Sequence, residues 1–149
     1  MMIENLKRKF KDIYKHDAKY IFCAPGRSEI SGNHTDHQHG LVLATSINLK
    51  TYAAININNT NTINVSSNGY DSFSIDLNDL EIKENEKGTS ASLVRGLCYK
   101  FKSLDNDIKG FDAYIDSNIL KGGGLSSSAS FEILFAYIIN YLFLDNKIS

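Results

Sequence analysis

The run Lys121-Gly122-Gly123-Gly124-Leu125-Ser126-Ser127-Ser128-Ala129-Ser130 constrains this chain more than any other stretch. Consecutive glycines let the backbone turn tightly and approach a ligand without side-chain interference. The serines follow just where a helical pattern opens. Phe131, Leu134, Phe135, Ile138, Ile139 and Leu142 recur at i, i+3, i+4, i+7, i+8 and i+11, a sustained apolar stripe. A flexible Gly/Ser linker has no reason to run into such a stripe. The first N–H groups of a helix lack internal partners and its dipole favours negative charge there, so a glycine loop opening a helix can seat a phosphate. On the residues alone a phosphate cradle and a structural turn or cap both stand. No Gly-Lys-Ser/Thr follows the glycines, and Gly-x-Gly-x-x-Gly is absent, so this is neither the P-loop nor the dinucleotide fingerprint.

The rest of the chain alternates short strand and helix patterns without strict βα order, which predicts an α+β fold in one domain over residues 1–149. Ile3, Leu6, Phe10 and Ile13 predict an opening amphipathic helix. Tyr20 to Ala24 reads as a strand that ends in a turn at Pro25-Gly26. Leu41 to Ile57 is rich in β-formers and reads as one long bent strand or two. Thr62 to Ser66 and Phe73 to Leu77 predict a hairpin around Asn68-Gly69. Leu93, Val94, Leu97 and Phe101 mark a second helix starting near Thr89 or Ser90. Phe111 to Ser117 reads as a strand with Phe111, Ala113 and Ile115 on one face.

Composition narrows the partners. Sixteen basic residues against 17 acidic ones give a net charge of −1, which provides no electrostatic footprint for nucleic acid or an anionic membrane. The N-terminus lacks the apolar core of a signal peptide. The apolar segment from Ala129 to Leu144 is broken by Glu132 and Asn140 and falls short of the ~20 residues of a membrane span. Cys23 and Cys98 both lie in apolar patterns without metal-ligand spacing, so two buried thiols in a reducing cytoplasm are expected.

A second polar segment, Ala24 through Gly40, gathers one cation, two carboxylates and three histidines within 13 positions from Arg27 to His39. Ligand groups concentrate on such loops when a sheet holds them. Three readings are open. Carboxylates and amides here could hydrogen-bond adjacent hydroxyls of a polyol. His34, His37 and His39 with Asp36 have ligand chemistry suited to zinc, although their spacing fits no standard structural site. The segment could also be a plain solvated loop.

Taken together, these two segments resemble the galactokinases of the GHMP sugar and metabolite kinase family. Gly26-Arg27 through Gly32-Asn33-His34-Thr35-Asp36 and on to Gly40-Leu41-Val42-Leu43 is similar to the galactokinase signature in place and order. Gly122-Gly123-Gly124-Leu125-Ser126-Ser127-Ser128-Ala129 is similar to the GHMP phosphate loop. Val94-Arg95-Gly96 in a helix and Gly110-Phe111-Asp112-Ala113 opening a strand also fit the family pattern. The resemblance spans nearly the whole chain, but only the N-terminal part of a galactokinase.

The resemblance implies transfer of the ATP γ-phosphate to the 1-hydroxyl of galactose by a GHMP kinase N-terminal domain, folded like ribosomal protein S5 domain 2. Arg27 would stabilise charge on the transferred phosphoryl group, a role suited to a permanently charged guanidinium with paired donors. Asn33, His34, Thr35 and Asp36 would bind the sugar. Gly122, Gly123, Gly124, Leu125, Ser126, Ser127 and Ser128 would bind ATP, with Ser128 also holding Mg²⁺ alongside a carboxylate from elsewhere. Ser66 would lie near the adenine. The chain departs from the usual pattern at Glu29 (commonly Asn), Asn33 (commonly Glu), His37 (commonly Tyr) and Leu120 (commonly Pro). Asn33 for Glu turns an acceptor into a group that also donates, which bears on the sugar chosen. Galacturonate or arabinose are therefore alternatives to galactose, and a non-catalytic sugar and nucleotide sensor is the alternative in function. The catalytic Asp, the acidic Mg²⁺ partner and the C-terminal domain of the family come later than Ser149. The 149-residue chain alone is accordingly expected to be inactive, with its own C-terminal domain as partner, and otherwise monomeric.

Overall fold

The computed structural model describes residues 2–32, 40–104, 107–120 and 124–147. Among them, the strands β1 (Tyr20–Ser31), β2 (Leu43–Ile57), β3 (Thr62–Ser67), β4 (Tyr70–Asp76) and β5 (Phe111–Ser117) form one mixed sheet in the order β1-β2-β5-β3-β4. β5 runs antiparallel to β2 and parallel to β3. The helix α1 (Met2–Tyr14) covers one face of the sheet; α2 (Ser90–Lys102) and α3 (Ser127–Phe143) cover the other.

The central position of β5 follows from its sequence. A strand buried on both faces must be apolar in both registers of its alternation or supply partners for what is not. Phe111, Ala113 and Ile115 join the larger core under α2 and α3, as their alternation predicts. Tyr114, on the opposite face, packs with Leu6, Phe10 and Ala54 under α1. Asp112 shares that face and is buried. His16 Nε2 lies 2.9 Å from its carboxylate, and the Asn58 and Asn64 amides each donate to it at 2.8 Å. A buried carboxylate without such donors would be costly, so this network ties the segment after α1 to the middle of the sheet. Asn56 Nδ2 lies 3.3 Å from His16 Nδ1, which fits an Nε2–H tautomer that donates to Asp112 and accepts from Asn56.

Three sequence expectations hold closely. The hairpin forms about Asn68-Gly69, with Gly69 at φ +78°, a conformation that glycine adopts at no steric cost. Within the Leu41 to Ile57 stretch, Leu43–Ile57 forms one long strand. α2 starts after Thr89, whose side chain accepts from the Ser92 N–H as an N-cap. Two expectations are corrected. β1 does not turn at Pro25-Gly26. It continues to Ser31, and the irregularity appears as a register shift between Pro25 and Arg27. β1 is an edge strand, where the missing proline N–H breaks no ladder, so pairing with β2 overrides the local turn signal. Cys23 is not buried. Strand alternation sends Phe22 and Ala24 into the core and Cys23 to the exposed side.

The two thiols therefore differ in reactivity. Burial pushes the Cys98 thiol up to about 12. Because the thiolate is the reactive form, a disulfide reagent should label Cys23 in the native protein and reach Cys98 only on unfolding. Two rapidly labelled thiols, counted by mass spectrometry, would contradict this placement.

Arg95, in the Val94-Arg95-Gly96 segment, is buried on α2 and has a structural occupation. Its Nε and Nη2 donate to Glu86 at 2.7 Å each, in a fork, and its Nη1 donates to the Asp79 carbonyl. The 3₁₀ turn Glu84–Glu86 and the segment before it are thereby fastened to α2. The hydrogen bonds from Arg95 hold the Glu86 carboxyl below its ordinary value of 4.5. A carboxyl with a depressed folded-state pKa adds stability above the unfolded value, and that stability is lost as pH falls through the folded value. Glu86→Gln should therefore flatten the loss of stability on acidification below pH 4.5, read as denaturation midpoint against pH. An unchanged acid limb would show that the pair adds nothing.

Candidate active site

Gly26 and Arg27 lie at the register shift of β1, where the strand meets the loop that opens α3. A Cβ at Gly26 would stand 3.0 Å from the Leu125 carbonyl oxygen and 3.1 Å from the Cδ1 atoms of Ile47 and Ile119. Only glycine fits that seat without displacing a neighbour. The Arg27 backbone N–H donates to the Leu125 carbonyl at 3.2 Å. This main-chain bond fastens the end of the glycine loop to the strand that carries the arginine.

The described part of the loop is Gly124 to Ser126. Gly124 has φ +69°, and Ser126 also adopts the left-handed conformation, at φ 56° and ψ 47°, before α3 starts at Ser127. Non-glycine residues adopt it at a cost, and such strain gathers where the chain must approach a ligand. The Ser126 side chain caps no backbone N–H of α3. The helix onset thus keeps its dipole and first-turn donors available to an anion.

Below the loop, Ser130 anchors the first turn of α3. Its hydroxyl is buried and lies 3.0 Å from both the Ala24 carbonyl and Thr51 Oγ1, and Thr51 Oγ1 lies 3.1 Å from Ser117 Oγ. This hydroxyl chain joins α3, β1, β2 and β5 at the level of the loop. Between the loop and the outer strands lies an open hollow of about 340 Å³, bordered by Arg27, Thr45, Ser46, Ser126, Ser130 and Ile133. The Arg27 guanidinium is half exposed, and its Nη2 donates to Glu29 Oε1 at 2.6 Å.

Of the residues singled out in the sequence, the structure brings Arg27 and Ser126 onto one hollow and holds Leu125 against the arginine strand. Ser127 and Ser128 form the first turn of α3, with Ser128 exposed. Ser66 stands elsewhere. It lies on β3, with its hydroxyl 3.2 Å from the Tyr14 hydroxyl and 2.9 Å from Ser72 Oγ, and it does not line the hollow. Burial pushes the Tyr14 phenol above its usual range, and its hydroxyl lies 2.9 Å from the Ala113 carbonyl. Asn33, His34, Thr35, Asp36, Gly122 and Gly123 lie outside the described residues, as do His37 and His39 of the zinc reading. Among the described residues no group of three or more His, Cys, Asp or Glu side chains could hold a metal. The Ser128 hydroxyl is one hard oxygen donor, which suits Mg²⁺ only when phosphate oxygens and a carboxylate complete the shell.

Sequence reasoning missed Thr45, Ser46 and Ile133 as walls of the hollow. It also missed the Ser130–Thr51 contact and the Arg27–Glu29 pair. The pair follows from residues two apart on a strand facing the same side, which applies only because β1 runs on past Pro25-Gly26 to Ser31.

Comparison with known proteins shows what the chain is similar to. Residues 8–57 match the galactokinase galactose-binding signature, and residues 91–149 match the N-terminal domain of GHMP kinases. The crystal structure of Lactococcus lactis galactokinase complexed with galactose superposes with a TM-score of 0.87 at 26% identity, covering 100% of this chain and 39% of that one. The chain carries a GHMP kinase N-terminal domain. The galactokinases of Ligilactobacillus salivarius and Clostridium acetobutylicum are 35% and 34% identical to it, over 91% and 97% of this chain. This GHMP domain spans 35% and 38% of the length of those relatives. The fold reaches further still. Methanococcus jannaschii mevalonate kinase superposes on 87% of the domain with a TM-score of 0.69 at 22% identity. No helix among the described residues is long and apolar enough to cross a membrane.

Proposed function

We propose that this domain is the N-terminal part of a galactokinase, which transfers the γ-phosphoryl group of ATP to the 1-hydroxyl of galactose. The observation that carries the reading is the bond from the Arg27 N–H to the Leu125 carbonyl, which sets a glycine-loop helix onset beside a strand-borne arginine on one hollow. Phosphoryl transfer depends on positioning and charge stabilisation, and these are the parts that supply them. In this reading the loop from Gly122 to Ser128 seats the ATP phosphates. Arg27 meets the charge that develops on the transferred group. Asn33, His34, Thr35 and Asp36 hold the sugar. Mg²⁺, when bound with ATP, neutralises phosphate charge, and the Ser128 hydroxyl is the ligand this chain offers it. The catalytic base, the acidic Mg²⁺ ligand and a C-terminal domain belong to the remainder of a galactokinase-length protein, so the domain alone is inactive in this reading. Ile133, Tyr137 and Tyr141 on α3 expose 62%, 48% and 44% of their surface, an apolar edge suited to such a covering domain.

The test is ATP consumption by the galactokinase-length protein, with Mg²⁺, against galactose, galacturonate, arabinose, glucose and N-acetylgalactosamine. Preference for galactose supports the reading in full. Preference for another sugar keeps the chemistry and moves the substrate, with Asn33 the first residue to revert. Binding of sugar or ATP without turnover of any sugar would sink the kinase in favour of a sensor.

A further inference from the structure

We propose that Glu29 is a positioning residue for Arg27: its carboxylate holds one Nη2 hydrogen of the guanidinium so that the rest of the fork is presented to the hollow. The inference rests on the kinase reading and adds to it a residue that reading leaves without a role. Arg27 and Glu29 are two apart on β1 and so project from the same face of the strand. Their β2 neighbours in the ladder are Ser46 and Ala44, and both of these border the hollow. Glu29 itself does not border it. Nη2 stands 2.6 Å from Oε1, a short contact of the kind made when both partners are charged.

The two side chains are unequally placed. Glu29 is 21% exposed and Arg27 50% exposed, so the carboxylate is the better-fixed member and the arginine the one that would otherwise wander. A guanidinium has five N–H donors in one plane. A single bond at Nη2 satisfies one of them, and Glu29 is the group's one side-chain partner among the described residues. The plane is thus restrained while most of the fork remains available for a phosphoryl oxygen. A carboxylate in direct contact with a phosphate would repel it. Glu29 therefore acts from beside the arginine, through its orientation.

The experiment is a kinetic double-mutant cycle in the galactokinase-length protein, with Glu29→Ala, Glu29→Gln, Arg27→Ala and the Arg27→Ala/Glu29→Ala double variant. Misplacing a reacting group costs up to about a hundredfold, so Glu29→Ala should lower kcat by about ten- to a hundredfold. The sugar KM should stay within about twofold. Glu29→Gln, which keeps an acceptor oxygen, should recover part of the loss. The double variant should be no slower than Arg27→Ala. Losses that multiply in the double variant would overturn the proposal, as would a raised sugar KM with kcat unchanged, which marks a direct sugar contact. NMR of the Arg27 guanidinium separates this from failure of the kinase reading, because it needs no turnover. Nη rotation that is slow in the wild type and fast in Glu29→Ala supports the pairing even if no sugar is phosphorylated. Fast rotation in the wild type overturns it.

Discussion

Arg27→Ala should lower kcat of the galactokinase-length protein by about 10³-fold or more, the scale on which an arginine stabilises a phosphoryl-transfer transition state. That is about 4 kcal/mol of barrier. The alanine variant is a clean probe because the bond that holds the loop to β1 is made by the main-chain N–H of residue 27, which alanine retains. Loop seating and fold survive while the guanidinium is lost. The side chain is half exposed, so its removal leaves no core cavity. KM for ATP and sugar should move far less than kcat, because an interaction made chiefly in the transition state leaves ground-state binding in place. Arg27→Lys keeps the charge but not the planar fork and should fall well short of wild type. A kcat within threefold of wild type in Arg27→Ala, with melting temperature unchanged, would remove the arginine from the chemistry.

Much of the fold was legible because local pattern and tertiary demand agree. β5 reads as a strand from its own alternation, and Phe111, Ala113 and Ile115 do face the larger core. The α3 stripe is seen in the burial of Leu134, Phe135, Ile138 and Ile139. Where the sequence misled, a non-local partner had overridden a local rule. Pro25-Gly26 has turn chemistry, yet β2 holds the strand extended on both sides of it. Cys23 lies in an apolar run, yet alternation turns it outward. At the site, the motifs pointed to Arg27 and to the loop separately. The family resemblance set them on one ATP, but the contact that joins them was not legible, because it depends on Gly26 lacking a Cβ and on a carbonyl of Leu125 from the far end of the chain. The Ser130 to Thr51 contact has no sequence signal either, since any serine or threonine pair could make it.

Phe135→Ala should destabilise the domain by about 3–5 kcal/mol, the usual range for emptying a buried aromatic site. Phe135 is fully buried on α3. Its ring centroid lies 4.7 Å from that of Phe131 and 6.3 Å from that of Phe111 on the central strand. It therefore couples the helix that bears the loop to the strand at the middle of the sheet. Neighbouring rings are large and held by the main chain, so the vacated volume would collapse only in part, which places the cost well above the transfer term alone. Phe135→Leu keeps most of the volume and should cost about 1 kcal/mol. The loop should feel the alanine change as well. Ser130 is about 1.4 turns before Phe135 on the same helix, and its hydroxyl registers α3 against β1 and β2. In the galactokinase-length protein a loosened α3 should therefore raise KM for ATP before it lowers kcat at saturation. Urea denaturation and ATP titration of both variants separate these effects. A loss under about 1 kcal/mol for Phe135→Ala would mean that α3 is held chiefly by its first turn, and that it docks through polar contacts rather than through the core.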